Sequence, residues 1–484
     1  MNKSENDLIR VFANGGILSP ADLITIMEIS KKLGNDHIAF GSRQDVIFSS
    51  NGKSQRVIKN AFADLDINYE LGTDNSVYQN IVSSYVAVNV VDTTNWVREG
   101  VYQVIMDDFD YLPKLKINIV DPVQSVVPLF SGQINFVAST VENYWYLYLR
   151  NPQKENKLER WPRLVYSQDI AKIARMLEET IINNPQFEVE ELFLLLQGKI
   201  KVNYRKIEKS LKTPEPNFLY YEGINALMNN RYWLGLYWRN NRYNLEFMLA
   251  ASRLCQETNI GKISVTPWKS FIIKGIKSED RLRWEKLMGK FGVNMRHSAL
   301  ELNWHLPVYD DEALNLKRFL TKELDQQDIS TFGLTFSIKT YREYYWFTSV
   351  VIERNLDKNL ALEECYNILY AKDFNPNHTE YFTYAHAVKK EIIPSLLIEL
   401  SKIYFRQLNP EKDQQQVVKE PELVKETSES YQCSNCLSIY EESVGDPLAN
   451  VPAGTPFEAL PDSYTCHVCD TSKKYFKPLM MHGN

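Results

Sequence analysis

Two short cysteine pairs near the C-terminus constrain this 484-residue chain more than any other feature. Cys433-Ser-Asn-Cys436 and Cys466-His-Val-Cys469 are separated by 29 residues and hold four of the six cysteines. Four thiolates at this spacing can close a tetrahedron around one metal ion, and each two-residue gap lets backbone N–H groups wrap a sulfur pair. The cysteines by themselves leave structural zinc and redox iron open.

The residues between the pairs narrow the choice. The segment runs Tyr440-Glu-Glu-Ser-Val-Gly445-Asp446-Pro447, then Pro452-Ala-Gly454-Thr455-Pro456-Phe457-Glu-Ala-Leu460-Pro461-Asp462-Ser-Tyr464, and closes with Lys473-Lys-Tyr-Phe476. With its cysteine spacing, this stretch closely resembles rubredoxin over residues 431–480. The resemblance implies one Fe held by Cys433, Cys436, Cys466 and Cys469 and cycling between ferric and ferrous. It also implies an aromatic core of Tyr440, Phe457, Tyr464 and Phe476. Three positions depart from the family. Leu437 and Asp470 stand where glycine usually follows each pair, and His467 stands where proline usually follows the third cysteine. Groups that approach the sulfurs tune the potential, so these departures bear on it.

The chain is long enough for two or three domains. Its net charge of −6 leaves no basic footprint for nucleic acid. No apolar run approaches membrane-spanning length, and the polar start Met1-Asn-Lys-Ser-Glu-Asn-Asp lacks a signal-peptide core. Cys255 and Cys365, far apart in sequence, read as reduced core residues rather than a disulfide. The expectation is a cytoplasmic protein with neither a membrane nor a nucleic acid as partner.

Residues 407–430 have linker composition, with Asn-Pro-Glu-Lys-Asp-Gln-Gln-Gln and no apolar face. Such a coil spans on the order of 25–30 Å, so the cysteine module is expected to be tethered. Upstream, Ser19-Pro20-Ala-Asp22 opens a helix with an N-cap, a first-position proline and an acidic first turn. Leu23, Ile24, Met27, Ile29 and Leu33 form its apolar face and Gly34 ends it. A strand follows over 37–48 and a second helix over 54–65. The order recurs as a helix over 244–258, a strand over 261–273 and a helix over 278–291, which predicts a pseudo-symmetric fold. Aromatic residues concentrate in Asn143-Tyr-Trp-Tyr-Leu-Tyr-Leu, Arg231-Tyr-Trp-Leu-Gly-Leu-Tyr-Trp and Tyr341-Arg-Glu-Tyr-Tyr-Trp-Phe and read as packing.

Three stretches carry a second resemblance, to the sirohaem-using sulfite and nitrite reductases, over residues 10–350. They are Asn14-Gly-Gly-Ile-Leu-Ser with Ile38-Ala-Phe-Gly-Ser-Arg43-Gln44-Asp, then Leu112-Pro113-Lys114-Leu-Lys116-Ile117-Asn, then Ile263-Ser-Val-Thr-Pro-Trp-Lys-Ser-Phe-Ile-Ile. The resemblance implies that Arg43, Lys114 and Lys116 bind sirohaem carboxylates. On a strand, Lys-x-Lys would point both ammonium groups to one face, and lysines also blunt strand edges. The family's 4Fe–4S cluster needs a C-x5-C and a C-x3-C pair. Here Met295-Arg-His297-Ser298 through Trp304-His305, and Gly333 through Tyr341, contain no cysteine, so no 4Fe–4S cluster is expected. His297 and His305 fall in that region, and Gln79-Asn80 stands where the family often has Arg-Asn.

The fold class expected is α+β: a pseudo-repeated ferredoxin-like and sulfite-reductase-like α/β body, a linker and a small iron-binding rubredoxin-like domain. The expected divisions are a first ferredoxin-like half-domain (1–75), a first reductase-like segment with a helical insertion (76–215), a second half-domain (216–292), a second reductase-like segment (293–406), the linker (407–430) and the rubredoxin-like domain (431–480). Three functions follow. The first is electron carriage by a tethered rubredoxin domain serving a redox protein partner, a reductase or an oxidase. The second is a cluster-less sirohaem reductase fed by its own rubredoxin domain. The third is a non-redox scaffold with structural zinc.

Overall fold

The computed structural model describes residues 7–63, 65–72, 77–151, 154, 157–215, 218–293, 301–327, 331, 333–341, 346–356, 364–408, 430–436, 438–442, 444–446, 449, 451–452 and 454–478. The expected linker, apart from its ends, lies outside them, as do Leu437, His297 and the centre of the third aromatic run. Contacts divide the chain into two compact units, Met1–Phe405 and Arg406–Asn484.

The first unit opens with β1 (Leu8–Val11), β2 (Ile17–Leu18), α1 (Pro20–Lys32), the hairpin β3 (His37–Phe40) and β4 (Val46–Ser49), α2 (Gln55–Ala61) and β5 (Tyr69–Leu71). Then come β6 (Val82–Ser83), α3 (Glu99–Asp107), β7 (Ile117–Val120), β8 (Ile134–Ala138), β9 (Tyr144–Asn151), β10 (Lys157–Arg160), β11 (Arg163–Tyr166), α4 (Ile170–Asn183), α5 (Val189–Lys199) and β12 (Tyr204–Lys206). The order then returns. After β13 (Gly223–Leu227) come β14 (Arg231–Leu236), β15 (Tyr243–Asn244), α6 (Leu245–Glu257), the hairpin β16 (Ile263–Val265) and β17 (Phe271–Lys277), and α7 (Arg281–Lys290). The second layer repeats as β18 (Trp304–His305), α8 (Asp311–Gln326), β19 (Phe336–Lys339), β20 (Val350–Arg354), β21 (Cys365–Ala371), β22 (Tyr381–Lys389) and α9 (Ile393–Leu408).

Sheet topology makes the duplication explicit. One sheet runs β6-β7-β8-β9-β11-β12 and its counterpart β18-β19-β20-β21-β22. In both, the first three strands are parallel and the fourth turns antiparallel. The other two sheets run β15-β3-β4-β1-β5 and β13-β14-β17-β16-β2. Each borrows its end strand from the opposite repeat: β2, just before α1, pairs with β16, and β15, just before α6, pairs with β3. Leu23, Ile26 and Met27 of α1 share one core with Phe247, Met248 and Ala251 of α6.

Both helix starts follow from their caps. Ser19 and Asn244 accept from the N–H groups of Asp22 and Phe247, and Pro20 takes the first turn of α1. The single strands expected over 37–48 and 261–273 are hairpins instead. The breaks fall at Gly41-Ser-Arg-Gln-Asp45 and Thr266-Pro-Trp-Lys-Ser270, polar stretches with turn residues that interrupt the apolar runs. The reversal is fixed by residues with positive φ, Gln44 at 61° and Lys269 at 58°. In the first, Gly41 N–H donates to Asp45 O and Gln44 N–H to Gly41 O. In the second, Thr266 N–H donates to Ser270 O and Lys269 N–H to Thr266 O. The second helix ends at Ala61 rather than Leu65, because Phe62 turns back to stack on Tyr69 with ring centroids 4.0 Å apart. Lys114 and Lys116 precede β7 rather than lying on it.

Gln44 stitches the repeats together. Its amide donates to Val265 O (2.7 Å) and Ser83 O (3.1 Å), and its Oε1 accepts from Ser83 N–H (2.8 Å). Gly16, at φ 74°, leaves it room: a Cβ there would lie 2.7 Å from the Gln44 amide. Asn241 does the converse service, accepting from Phe40 N–H (2.9 Å) and donating to Phe40 O (2.8 Å).

In the second unit β23 (Ser430–Cys433) lies between β24 (Ile439–Glu441) and β25 (Phe476–Pro478), antiparallel to both. The expected aromatic core forms: Tyr440, Phe457, Tyr464 and Phe476 are buried, and Tyr431 stacks on Phe457 at 4.1 Å.

Gln44→Leu keeps side-chain bulk but strands buried polar groups of Ser83 and Val265. It is expected to lower stability of the first unit by about 2–4 kcal/mol in denaturant unfolding, since each orphaned group costs about 1–3 kcal/mol.

Candidate metal centre

The cysteine pairs sit on two equivalent turns. Cys433 N–H donates to Ser438 O (2.9 Å), and Cys466 N–H donates to Thr471 O (2.8 Å), so each Cys-x-x-Cys stretch is closed by the same backbone bond. The four sulfurs all lie within 4.8 Å of one another. Cys436 and Cys466 are 3.5 Å apart, and Cys433 and Cys469 are 3.7 Å apart. A metal–sulfur bond of about 2.3 Å implies a tetrahedral S···S edge of about 3.8 Å, so the donor set fits a single tetrahedral ion. Cys433 and Cys466 are fully buried, and Cys436 and Cys469 are partly exposed.

The surroundings of Cys466 and Cys469 favour thiolate, while at Cys436 the bonds from Ser438 are outweighed by burial and the neighbouring cysteines, which push that thiol up. The Thr471 hydroxyl, 3.1 Å from Cys469 Sγ, is the main reason that thiol is held down at about 6. Burial pushes Cys466 up, but the Ser438 hydroxyl at 3.0 Å and the N–H groups of Val468 and Cys469 outweigh it, and its pKa is lowered. Ser438 also lies 3.3 Å from Cys436 Sγ. Asp446, buried, accepts from the Tyr464 hydroxyl (2.7 Å) and sits 2.9 Å from His467 Nδ1. The residue that replaces the usual proline is thereby tied to the aromatic core. Sequence reasoning named the cysteines but missed Ser438, Thr471 and Asp446. The available signal was a hydroxyl residue two places after each Cys-x-x-Cys.

A family model described as Rubredoxin matches residues 430–476. Rubredoxin-2 of Chlorobaculum tepidum is 48% identical over 48 residues, 10% of this chain and 92% of that protein. The probable rubredoxin of Methanothermobacter thermautotrophicus is 47% identical over 49 residues, 10% of this chain and 78% of that protein. Through residues 430–476, this chain belongs to the rubredoxin family. Residues 2–53 match a model described as the nitrite/sulfite reductase ferredoxin-like half domain. The solved structure of Mycobacterium tuberculosis NirA protein superposes with a TM-score of 0.58 at 15% identity, covering 81% of this chain and 79% of that one. At that identity the likeness establishes the fold of the body and nothing finer. No helix among the described residues is long and apolar enough to cross a membrane.

In the body, Arg43 is spent on the protein itself. Its guanidinium donates to Asn118 Oδ1 (2.7 Å), Asn80 O (2.8 Å) and Ile117 O (2.7 Å), and the side chain is 8% exposed. Burial lowers its pKa to about 9, against Asp45, which raises it, so it stays charged at neutral pH. Lys114 is exposed and Lys116 half-buried. A cavity of about 400 Å³ lies beside this region, walled by Asn14, Gln79, Asn80, Asp110 and Tyr111 among others, with no cation among its described lining residues. His305 is buried on β18 against Phe347, with neither ring nitrogen bonded. Its pKa is lowered well below the ordinary value by burial, then by Lys269 and Lys339, so it is neutral. Cys255 and Cys365 are both buried, in α6 and β21.

The rubredoxin turn that normally takes glycine retains its left-handed backbone, with Asp470 at φ 54°. Asp tolerates this region better than branched residues do. Asp470→Val is expected to destabilise the domain by about 1–2 kcal/mol, while Asp470→Gly holds stability within about 1 kcal/mol; thermal melts of the metal-loaded chain check both.

Proposed function

We propose that this chain is an iron-dependent one-electron carrier whose reductase-like body serves to engage a redox protein partner. The observation that carries the reading is the convergence of Cys433, Cys436, Cys466 and Cys469 in a rubredoxin domain. Bound there, one Fe supplies reversible one-electron chemistry. The residues do the rest: the aromatic core fixes the two turns, the hydroxyls and N–H groups favour thiolate at Cys466 and Cys469, and the partly exposed Cys436 and Cys469 give electrons a short path to the surface. In this proposal the body comprises two ferredoxin-like half-domains, residues 1–75 and 216–292, each followed by a reductase-like segment, 76–215 and 293–406, with 407–430 as the tether to 431–480. It holds no 4Fe–4S cluster, since only Cys255 and Cys365 remain to ligate one.

Cys466→Ser in the full chain is expected to abolish the reversible one-electron wave and leave the body's unfolding transition in place. A wave that persists in this variant, or wild-type protein isolated with one zinc and no wave, refutes the iron reading.

The competing reading, tetrapyrrole binding through Arg43, Lys114 and Lys116, draws support from the NirA-like fold and weakness from the inward engagement of Arg43. Protein expressed with a sirohaem supply is expected to be isolated without tetrapyrrole bands. Bands that disappear in the Lys114→Ala, Lys116→Ala double variant would instead make the body an active site.

Around the metal site Glu441, Glu442, Glu458, Asp462 and Asp470 outnumber Lys473, Lys474 and Lys477. Electron exchange with a partner presenting a basic face is expected to slow as salt rises, measurable by stopped-flow at increasing ionic strength.

A further inference from the structure

Ser438 and Thr471 occupy equivalent places, each two residues beyond the second cysteine of its turn. Their hydroxyls lie against the sulfurs: Ser438 Oγ is 3.0 Å from Cys466 Sγ and 3.3 Å from Cys436 Sγ, and Thr471 Oγ1 is 3.1 Å from Cys469 Sγ. Once the sulfurs are metal thiolates they carry no proton, so in each of these contacts only the hydroxyl can donate. The Thr471 hydroxyl is also oriented. Asn435 Nδ2 donates to its oxygen at 3.2 Å, which occupies a lone pair and leaves the O–H hydrogen for Cys469. Asn435 lies within the first cysteine pair, so the two turns cooperate in aiming this donor.

We propose that Ser438 and Thr471 are positioning residues that raise the reduction potential of the metal centre by O–H···S bonds to its thiolates, with Asn435 aiming the second of them. The inference rests on the iron reading above. Its physical basis is charge. The four-thiolate site is one unit more negative when reduced than when oxidised, and a hydrogen bond to sulfur stabilises the more negative state more. Uptake of one electron from a reduced protein partner is thereby favoured, and no proton or bond is exchanged.

Spectroelectrochemical titration of the full-length chain, loaded with one iron per molecule, tests this. Ser438→Ala and Thr471→Val are each expected to lower the midpoint potential, and the double variant to lower it further, with a shift of the sulfur-to-iron charge-transfer bands. Asn435→Leu, which keeps both hydroxyls and all four cysteines, is expected to lower it less. Ser438→Thr and Thr471→Ser, which keep the donors, are expected to hold it near wild type. An iron-loaded Ser438→Ala or Thr471→Val variant with an unmoved or raised midpoint overturns the proposal. So does an Asn435→Leu variant with an unmoved midpoint, as regards the aiming of Thr471. A wild-type chain that binds zinc and shows no wave is the separate failure of the iron reading.

Discussion

Four thiol sulfurs gathered within 4.8 Å, two of them fully buried, form an arrangement that a protein core does not hold without a reason. Deprotonated, they repel one another; protonated, they are weak hydrogen-bonding partners in a small apolar shell. A tetrahedral cation resolves the conflict, and much of the second unit is arranged around that resolution. Its aromatic core is a single thin layer in which Tyr431, Tyr440, Phe457, Tyr464 and Phe476 pack against the cysteines themselves. A domain this small has little buried area to spare, so each buried group in it weighs heavily on its stability. The buried Asp446, bonded to Tyr464 and close to His467, ties this layer to the second cysteine turn.

The body obeys a different constraint. Its two repeats each supply one short strand to the other's sheet, and the hairpin tips cross between them. This places Gln44 and Arg43 in buried, polar surroundings where their bonding groups must find protein partners. Arg43 finds two backbone carbonyls and Asn118. A guanidinium committed in this way is a tie between layers, and it is poorly available for an external carboxylate.

Much of this was legible in the residues. The metal ligands and the four core aromatics of the small domain could be read directly, because cysteine spacing and turn residues fix the local geometry. The duplication was visible as recurring element order, and the caps at Ser19 and Asn244 located their helices. The hairpins were within reach of the sequence, since Gly41-Ser-Arg-Gln-Asp45 and Thr266-Pro-Trp-Lys-Ser270 are polar breaks between apolar runs, but the positive φ at Gln44 or Lys269 that closes each turn leaves no mark in composition. The reciprocal strands, two residues each, are too short for any periodicity to register. The hydroxyls beside Cys436 and Cys469 had a local signal, a Ser or Thr two places after each pair, but the approach of Ser438 to Cys466 crosses between the two turns, which residue type alone does not announce.

The exchanged strands also bear on how the two copies can diverge. Because β2 and β15 complete each other's sheets, neither repeat is a self-contained object, and the main-chain pairing at those strands is indifferent to side chains, unlike the bonds of Gln44 and Asn241. The hairpin tips carry side chains with unequal duties. One carries Arg43-Gln44-Asp45 and the other Trp268-Lys269-Ser270 on the same backbone bonds. A change at Trp268 or Ser270 leaves the Gln44 bridge in place, whereas a change at Gln44 removes it, so the two copies are not equally free to diverge.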